Sequence, residues 1–199
     1  MDFLVIILIG SIITIPVIIG LSNQNKESEK SRMTALENEL KEQKFNVQVQ
    51  YSFDFINDES VNEITNSAKF LLDIENKRIC IVHRTKEDFG KDHYSYIDFD
   101  EITDCQVKED SEVMGGVGRA IVGGVLAGGV GAIVGSTTAK KHVTNYQIII
   151  LRSNILQPQT IIPLITSKTK TSKNNYKKAV EFSQNVYASI CAIIANNKK

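Results

Sequence analysis

The chain carries no excess of charge. Its 23 Lys and Arg balance 23 Asp and Glu over 199 residues. A general nucleic-acid binder would show a basic stripe, so that class is excluded. Cysteine is sparse and odd in number: Cys80, Cys105 and Cys191 lie far apart and suggest neither a disulfide framework nor a metal site. Cys80 and Cys191 sit in apolar runs and read as buried hydrophobes. The three histidines, His83, His93 and His142, are scattered, and none stands at metal-ligand spacing from Cys, Asp or Glu. His83, at the end of a strand pattern, reads as structural. Gly116-Val117-Gly118 has no following Gly-Lys-Ser/Thr, and Lys140 is too distant to complete a phosphate loop. No G-x-S-x-G nucleophile motif is present. The acidic residues Asp98, Asp100, Glu101 and Asp104 fit alternating strand faces and a solvated loop. The expectation is a protein with no catalytic, cofactor-binding or metal-binding residues, and hence not an enzyme.

What is present begins with residues 3–21, FLVIILIGSIITIPVIIGL, a charge-free run long enough to cross a bilayer as a helix. Pro16 is tolerable there. A cleaved leader would start with Lys or Arg and end at a small-residue site, and neither feature is present. Residues 1–21 are therefore expected to be an uncleaved transmembrane anchor. Lys26, Lys30 and Arg32 follow it, which places the bulk of the chain in the cytoplasm and the N-terminus outside. Residues 22–44 read as a charged juxtamembrane stalk helix, with Met33, Leu36 and Leu40 on one stripe and Glu37 four residues before Lys41.

From residue 45 the apolar period changes to two, and the rest of the chain, 45–199, reads as one domain. Candidate strands cover 45–55, 69–74, 78–83, 94–99, 102–108, 144–152 and 159–165. Residues 56–67 read as a polar loop. Residues 167–175 read as another, with Asn174 or Asn175 as helix N-cap. Residues 176–195 form a helix with Tyr176, Val180, Ser183, Tyr187, Ile190 and Ile194 near one face, broadened by Phe182, Val186 and Ile193. Such a helix should close an open end or face of a sheet.

Inside this β-rich region lies a glycine-rich segment, 115–139, GGVGRAIVGGVLAGGVGAIVGSTTA, with no charge between Arg119 and Lys140. Gly116, Ala120, Gly124, Gly128, Ala132 and Ser136 stand four apart, and so do Gly123, Ala127, Gly131, Gly135 and Ala139. This is the glycine-zipper spacing that lets helix backbones approach closely in membranes. In water each such Gly costs a helix about 1 kcal/mol relative to Ala. A flexible glycine linker is the alternative, although linkers are rich in Gly and Ser and poor in Ile and Val. One helical crossing needs about 20 residues. It would put the strands before and after it on opposite sides of a membrane, and two crossings do not fit. A re-entrant hairpin bending at Gly128-Gly129, an interfacial segment and a helix pair packed on the protein remain. Arg119 at one end and Lys140 and Lys141 at the other would meet lipid headgroups.

Seven strands and a closing helix resemble a pleckstrin-homology (PH)-like barrel. More specifically, the chain resembles small bacterial and phage PH-like proteins interrupted by a glycine-rich insert. The likeness is carried by LLDIENKRICIVHR (71–84), IDFDEITDCQVKED (97–110), the glycine segment with its two lysines (115–141) and YQIIIL (146–151). The resemblance implies an α+β fold: a seven-strand antiparallel barrel or sandwich with a helical glycine-zipper insertion and a C-terminal capping helix. The spaced basic residues with which PH domains hold phosphoinositides are missing, so that site is not carried over. The expected function is a membrane-tethered binding or scaffold module, with the bilayer, a protein partner and further copies of the chain as partners. The alternatives are a pore-forming or membrane-perturbing factor, and a structural anchor with the insert packed on its own domain.

Overall fold

The computed structural model describes residues 28–56, 64–85, 91–110, 112–114 and 142–197. The chain divides into two units, Met1–Asn46 and Val47–Lys199. The first is described through its helix α1, residues 28–42. Its C-terminus closes as a Schellman turn: the Phe45 amide donates to the Leu40 carbonyl at 2.8 Å and the Lys44 amide to Lys41 at 3.0 Å. Lys44 takes the left-handed φ of 50° that this closure requires. The amide of Phe45 is thereby committed to the helix, so the first strand begins at Val49 and not at residue 45. An exposed ion pair on this helix joins Arg32 to Glu29 at 3.4 Å, and none is formed between Glu37 and Lys41.

The second unit holds two four-stranded antiparallel sheets. One has the order β1 (Val49–Ile56), β2 (Ile64–Asp73), β3 (Arg78–Arg84), β4 (His93–Asp98). A 3₁₀ turn, Phe99–Glu101, leads into the other. That sheet has the order β6 (Glu112–Met114), β5 (Ile102–Glu109), β8 (Tyr146–Arg152), β9 (Gln159–Ile165). Two short strands, β7 (His142–Val143) and β10 (Thr169–Lys170), pair with each other. Helix α2 (Asn174–Asn197) follows.

All seven expected strands are present, with corrections. β2 starts at Ile64, inside the expected polar loop, because Asn66 and Ser67 pair with β1 despite their polarity. β6, β7 and β10 were not anticipated. The expected caps Asn174 and Asn175 lie within the helix; the Lys177 amide donates to the Lys173 carbonyl, which makes Lys173 the residue before the first turn.

Alternation explains which face each strand buries. Tyr146, Ile148 and Ile150 of β8 point inward, while Gln147, Ile149 and Leu151 are only half-buried. In β9 a register irregularity opposite Tyr146 and Gln147 inserts an extra residue, so both Leu164 and Ile165 turn inward. Pro163 is accommodated because β9 is the last strand of its sheet. One hydrophobic core joins both sheets and the helix. α2 contains no Gly or Pro and buries Tyr176, Ala179, Phe182, Ser183, Val186, Tyr187, Ile190, Ile193 and Ile194. The expected face is correct except that Val180 is half-buried and Ala179 belongs to it. The Phe182 ring lies 6.1 Å from that of Phe53 on β1.

The hairpin pairings give the unit two ends. At one lie the start of β1, the 74–77 turn, the 3₁₀ turn and the 153–158 loop. These are joined by Phe99 N–H to the Lys77 carbonyl (2.8 Å) and Ser153 N–H to Glu101 (2.8 Å). The C-terminal part of α2 reaches the same end, where Asn197 Nδ2 donates to the Phe99 carbonyl at 2.6 Å. At the other end lie the β5–β6 turn, β7, the start of β8 and β10. Among the described residues, no helix is long and apolar enough to cross a membrane. Residues 3–21 and 115–139 lie outside those residues.

Candidate functional site: the base of the glycine segment

The segment of interest leaves from β6 and returns at β7. β5, which precedes it, and β8, which follows it, are hydrogen-bonded neighbours, with Cys105 opposite Ile150, Val107 opposite Ile148 and Glu109 opposite Tyr146. Both flanks of the insertion therefore belong to one sheet. A single crossing that separates them is excluded by that pairing.

Asp110 pins the two flanks together. It follows β5 directly and adopts φ 51°, a left-handed turn that folds β6 back so that Glu112 faces Glu109. Its own amide donates to the Asn145 carbonyl at 2.7 Å. One carboxylate oxygen, Oδ1, accepts from Thr144 N–H (2.9 Å), Thr144 Oγ1–H (2.8 Å) and Asn145 N–H (3.1 Å). An ionised acceptor is well suited to three converging donors. The β7–β10 pair, Val143 with Thr169 and His142 with Lys170, adds a second tie on the returning side.

Beneath this clasp is a buried polar row. Glu109 is buried, and Tyr176 of α2 donates its hydroxyl to Oε2 at 3.1 Å. The Tyr146 ring meets the Tyr176 ring edge-on at 5.9 Å. The Ser183 hydroxyl donates to the Val180 carbonyl at 2.8 Å, so the 2.8 Å contact between Tyr146 and Ser183 is donated by the tyrosine. Burial pushes the Tyr146 phenol well up from its ordinary range, and the nearby Tyr176 and Glu109 add to this. The phenol thus stays neutral and serves as a donor. These contacts tie the strand that leads into the insertion to the closing helix.

The thiols show no comparable poise. All three are free. Cys80 and Cys105 are buried, while Cys191, expected to be buried, is half-exposed. Burial raises the Cys105 thiol well above its ordinary value and also raises Cys191. Thiolate is the nucleophilic form, so both are poor nucleophiles at neutral pH. Of the expected acidic group, Glu101 binds Arg152 Nε at 3.1 Å, and Asp104 Oδ1 accepts from the adjacent Cys105 N–H at 2.8 Å. Among the described residues no three His, Cys, Asp or Glu side chains gather as a metal site. His83 and His93 face each other across β3 and β4 with ring centroids 5.3 Å apart.

The residues expected to mediate membrane contact or self-association lie outside the described residues: Gly116, Ala120, Gly123, Gly124, Ala127, Gly128, Gly131, Ala132 and Gly135, with Arg119, Lys140 and Lys141. What the structure adds is their base: Asp110, Thr144, Asn145, Glu109 and Tyr146. Periodicity gives no signal for the first three, since the bonds from Asp110 span 34 and 35 residues.

Two antiparallel sheets closed by a C-terminal helix define a PH-like domain. Residues 55–166 match the family described as "Glycine zipper containing PH domain", over half of the chain, and the chain belongs to that family. No curated protein and no solved structure matches it.

Proposed function

We propose that the protein is a membrane-tethered, non-enzymatic binding module. In this reading residues 1–21 anchor it with the N-terminus outside. The PH-like unit engages a protein partner on the cytoplasmic side, and the glycine segment contacts the bilayer or a second copy of the chain. The observation that carries the reading is the β5–β8 pairing beneath the Asp110 clasp. It lets an apolar segment be displayed from one position on the domain without dividing it. Membership in a PH-like family supports a binding or scaffold role.

Geometry constrains the choice for the glycine segment. The N-terminal part of the chain runs into β1 at one end of the unit, and the insertion leaves at the other. Strands of seven or eight residues separate those ends by about 24 Å. The insertion therefore emerges at the end of the unit away from the start of β1.

Sidedness tests the reading. Lys91, before the insertion, and Lys177, after it, are both exposed. Each is replaced by Cys in full-length protein carrying Cys191→Ala, and sealed inside-out vesicles are treated with a membrane-impermeant maleimide. Both sites are expected to react from the cytoplasmic face. Reaction of both only from the opposite face overturns the orientation, and a soluble product after carbonate extraction overturns the tether.

A further inference from the structure

The most exposed large hydrophobic residues described are Ile155 and Leu156, at 92% and 96% of full exposure. They form the tip of the β8–β9 hairpin, and the loop beneath them is fixed. Arg152 N–H donates to the Pro158 carbonyl (2.8 Å) and Gln157 N–H to Asn154 (3.2 Å). Leu156 N–H donates to Asn154 Oδ1 (3.0 Å), and Arg152 Nη1 to Gln157 Oε1 (2.7 Å). The Leu156 amide is thus served within the loop, and two adjacent apolar side chains are presented outward. Contiguous exposed apolar surface marks a site of interaction with a partner or a membrane.

Three features point to a lipid surface. First, the tip is convex and continues onto the outward face of its hairpin through Leu151 and Ile161, the latter 37% exposed. Second, no charged residue occurs between Arg152 and Lys168, and Arg152 itself is held by Glu101, so the hairpin tip carries no free charge into the interface. Third, the tip shares its end of the unit with the start of β1, the point at which the chain enters the unit, and with Ile74, which is 53% exposed. We infer that Ile155 and Leu156 insert into the interfacial layer of the bilayer to which the N-terminal run is tethered, so that the PH-like unit stands on the membrane at this end. This rests on the tether in the proposed function.

The chain contains no tryptophan, so single Trp substitutions report without background. Full-length Leu156→Trp, Ile7→Trp and Lys170→Trp proteins are reconstituted in phosphatidylcholine vesicles. Each is quenched with brominated lipid from the membrane and with acrylamide from water. Lys170 is exposed at the opposite end, which controls for the interfacial preference of Trp itself. The expected result is strong lipid quenching at 7 and 156 and none at 170. Ile155→Ser in the Leu156→Trp background should then weaken the contact about tenfold. Lipid quenching at 7 but not at 156 overturns the inference and leaves the tether intact. Shielding of 156 from both quenchers, growing with protein-to-lipid ratio, means that a second copy covers the tip and also overturns it. Quenching at 156 without quenching at 7 upholds the tip and overturns the tether. Quenching at neither position overturns both.

Discussion

Asp110→Ala is expected to lower the unfolding free energy by about 2–3 kcal/mol. Three donors converge on one carboxylate oxygen. A hydrogen bond to a charged acceptor contributes about 1.5–3 kcal/mol. Thr144 is exposed and Asn145 half-buried, so solvent recovers part of this and the three do not sum. The left-handed φ of 51° adds a second cost, because a Cβ without a local hydrogen bond is disfavoured there by about 1–2 kcal/mol. The two contributions separate experimentally. Asp110→Gly removes the acceptor but relieves the backbone, and should fall about 1 kcal/mol short of the Ala variant. Asp110→Asn keeps an oxygen acceptor and tolerates the turn, and should cost about half as much as Ala. The measurement is urea unfolding of the full chain in detergent micelles, followed by near-ultraviolet circular dichroism of the tyrosines. An Ala variant as stable as the parent would mean that the clasp is not formed.

Phe182→Ala should cost more, about 3–5 kcal/mol, the range for truncating a buried aromatic. Phe182 is 3% exposed and packs against Phe53. It lies on the inward face of the helix that joins both sheets in one core. Removing it opens a void between β1 and α2 that well-packed neighbours cannot fill. Val180, half-buried on the same helix, is the control: Val180→Ala should cost less than about 1 kcal/mol. Equal effects at the two positions, in the same unfolding experiment, would contradict the helix as the closing element.

The long elements were legible in the chain because they are periodic. Alternation across Tyr51, Phe53 and Phe55 defines β1, and the three-and-four spacing from Tyr176 to Ile194 defines α2. The short strands were not. β7 and β10 have two residues each and β6 has three, too few to show a period. Their pairing depends on residues distant in sequence. The start of β1 was misplaced because the alternation runs back to Phe45, whose amide closes the preceding helix. At the base of the insertion, Asp110 and Glu109 look like the end of a charged strand. Only the β5–β8 register brings them to Thr144, Asn145 and Tyr146. Ile155 and Leu156 read as a separator between strands, and their exposure depends on the hydrogen bonds beneath them. The insertion itself was visible at once, since nothing else in the chain resembles it.

The central claim is that residues 115–139 are displayed from a sheet that is complete without them. The direct measurement is hydrogen exchange on full-length protein with that segment replaced by a short Gly-Ser link. The account predicts that the amides of β5 and β8 keep their protection, while oligomers or membrane contact made by the segment are lost. Fast exchange throughout β5 and β8, with loss of the unfolding transition, would show that the glycine segment is part of the core and would contradict it.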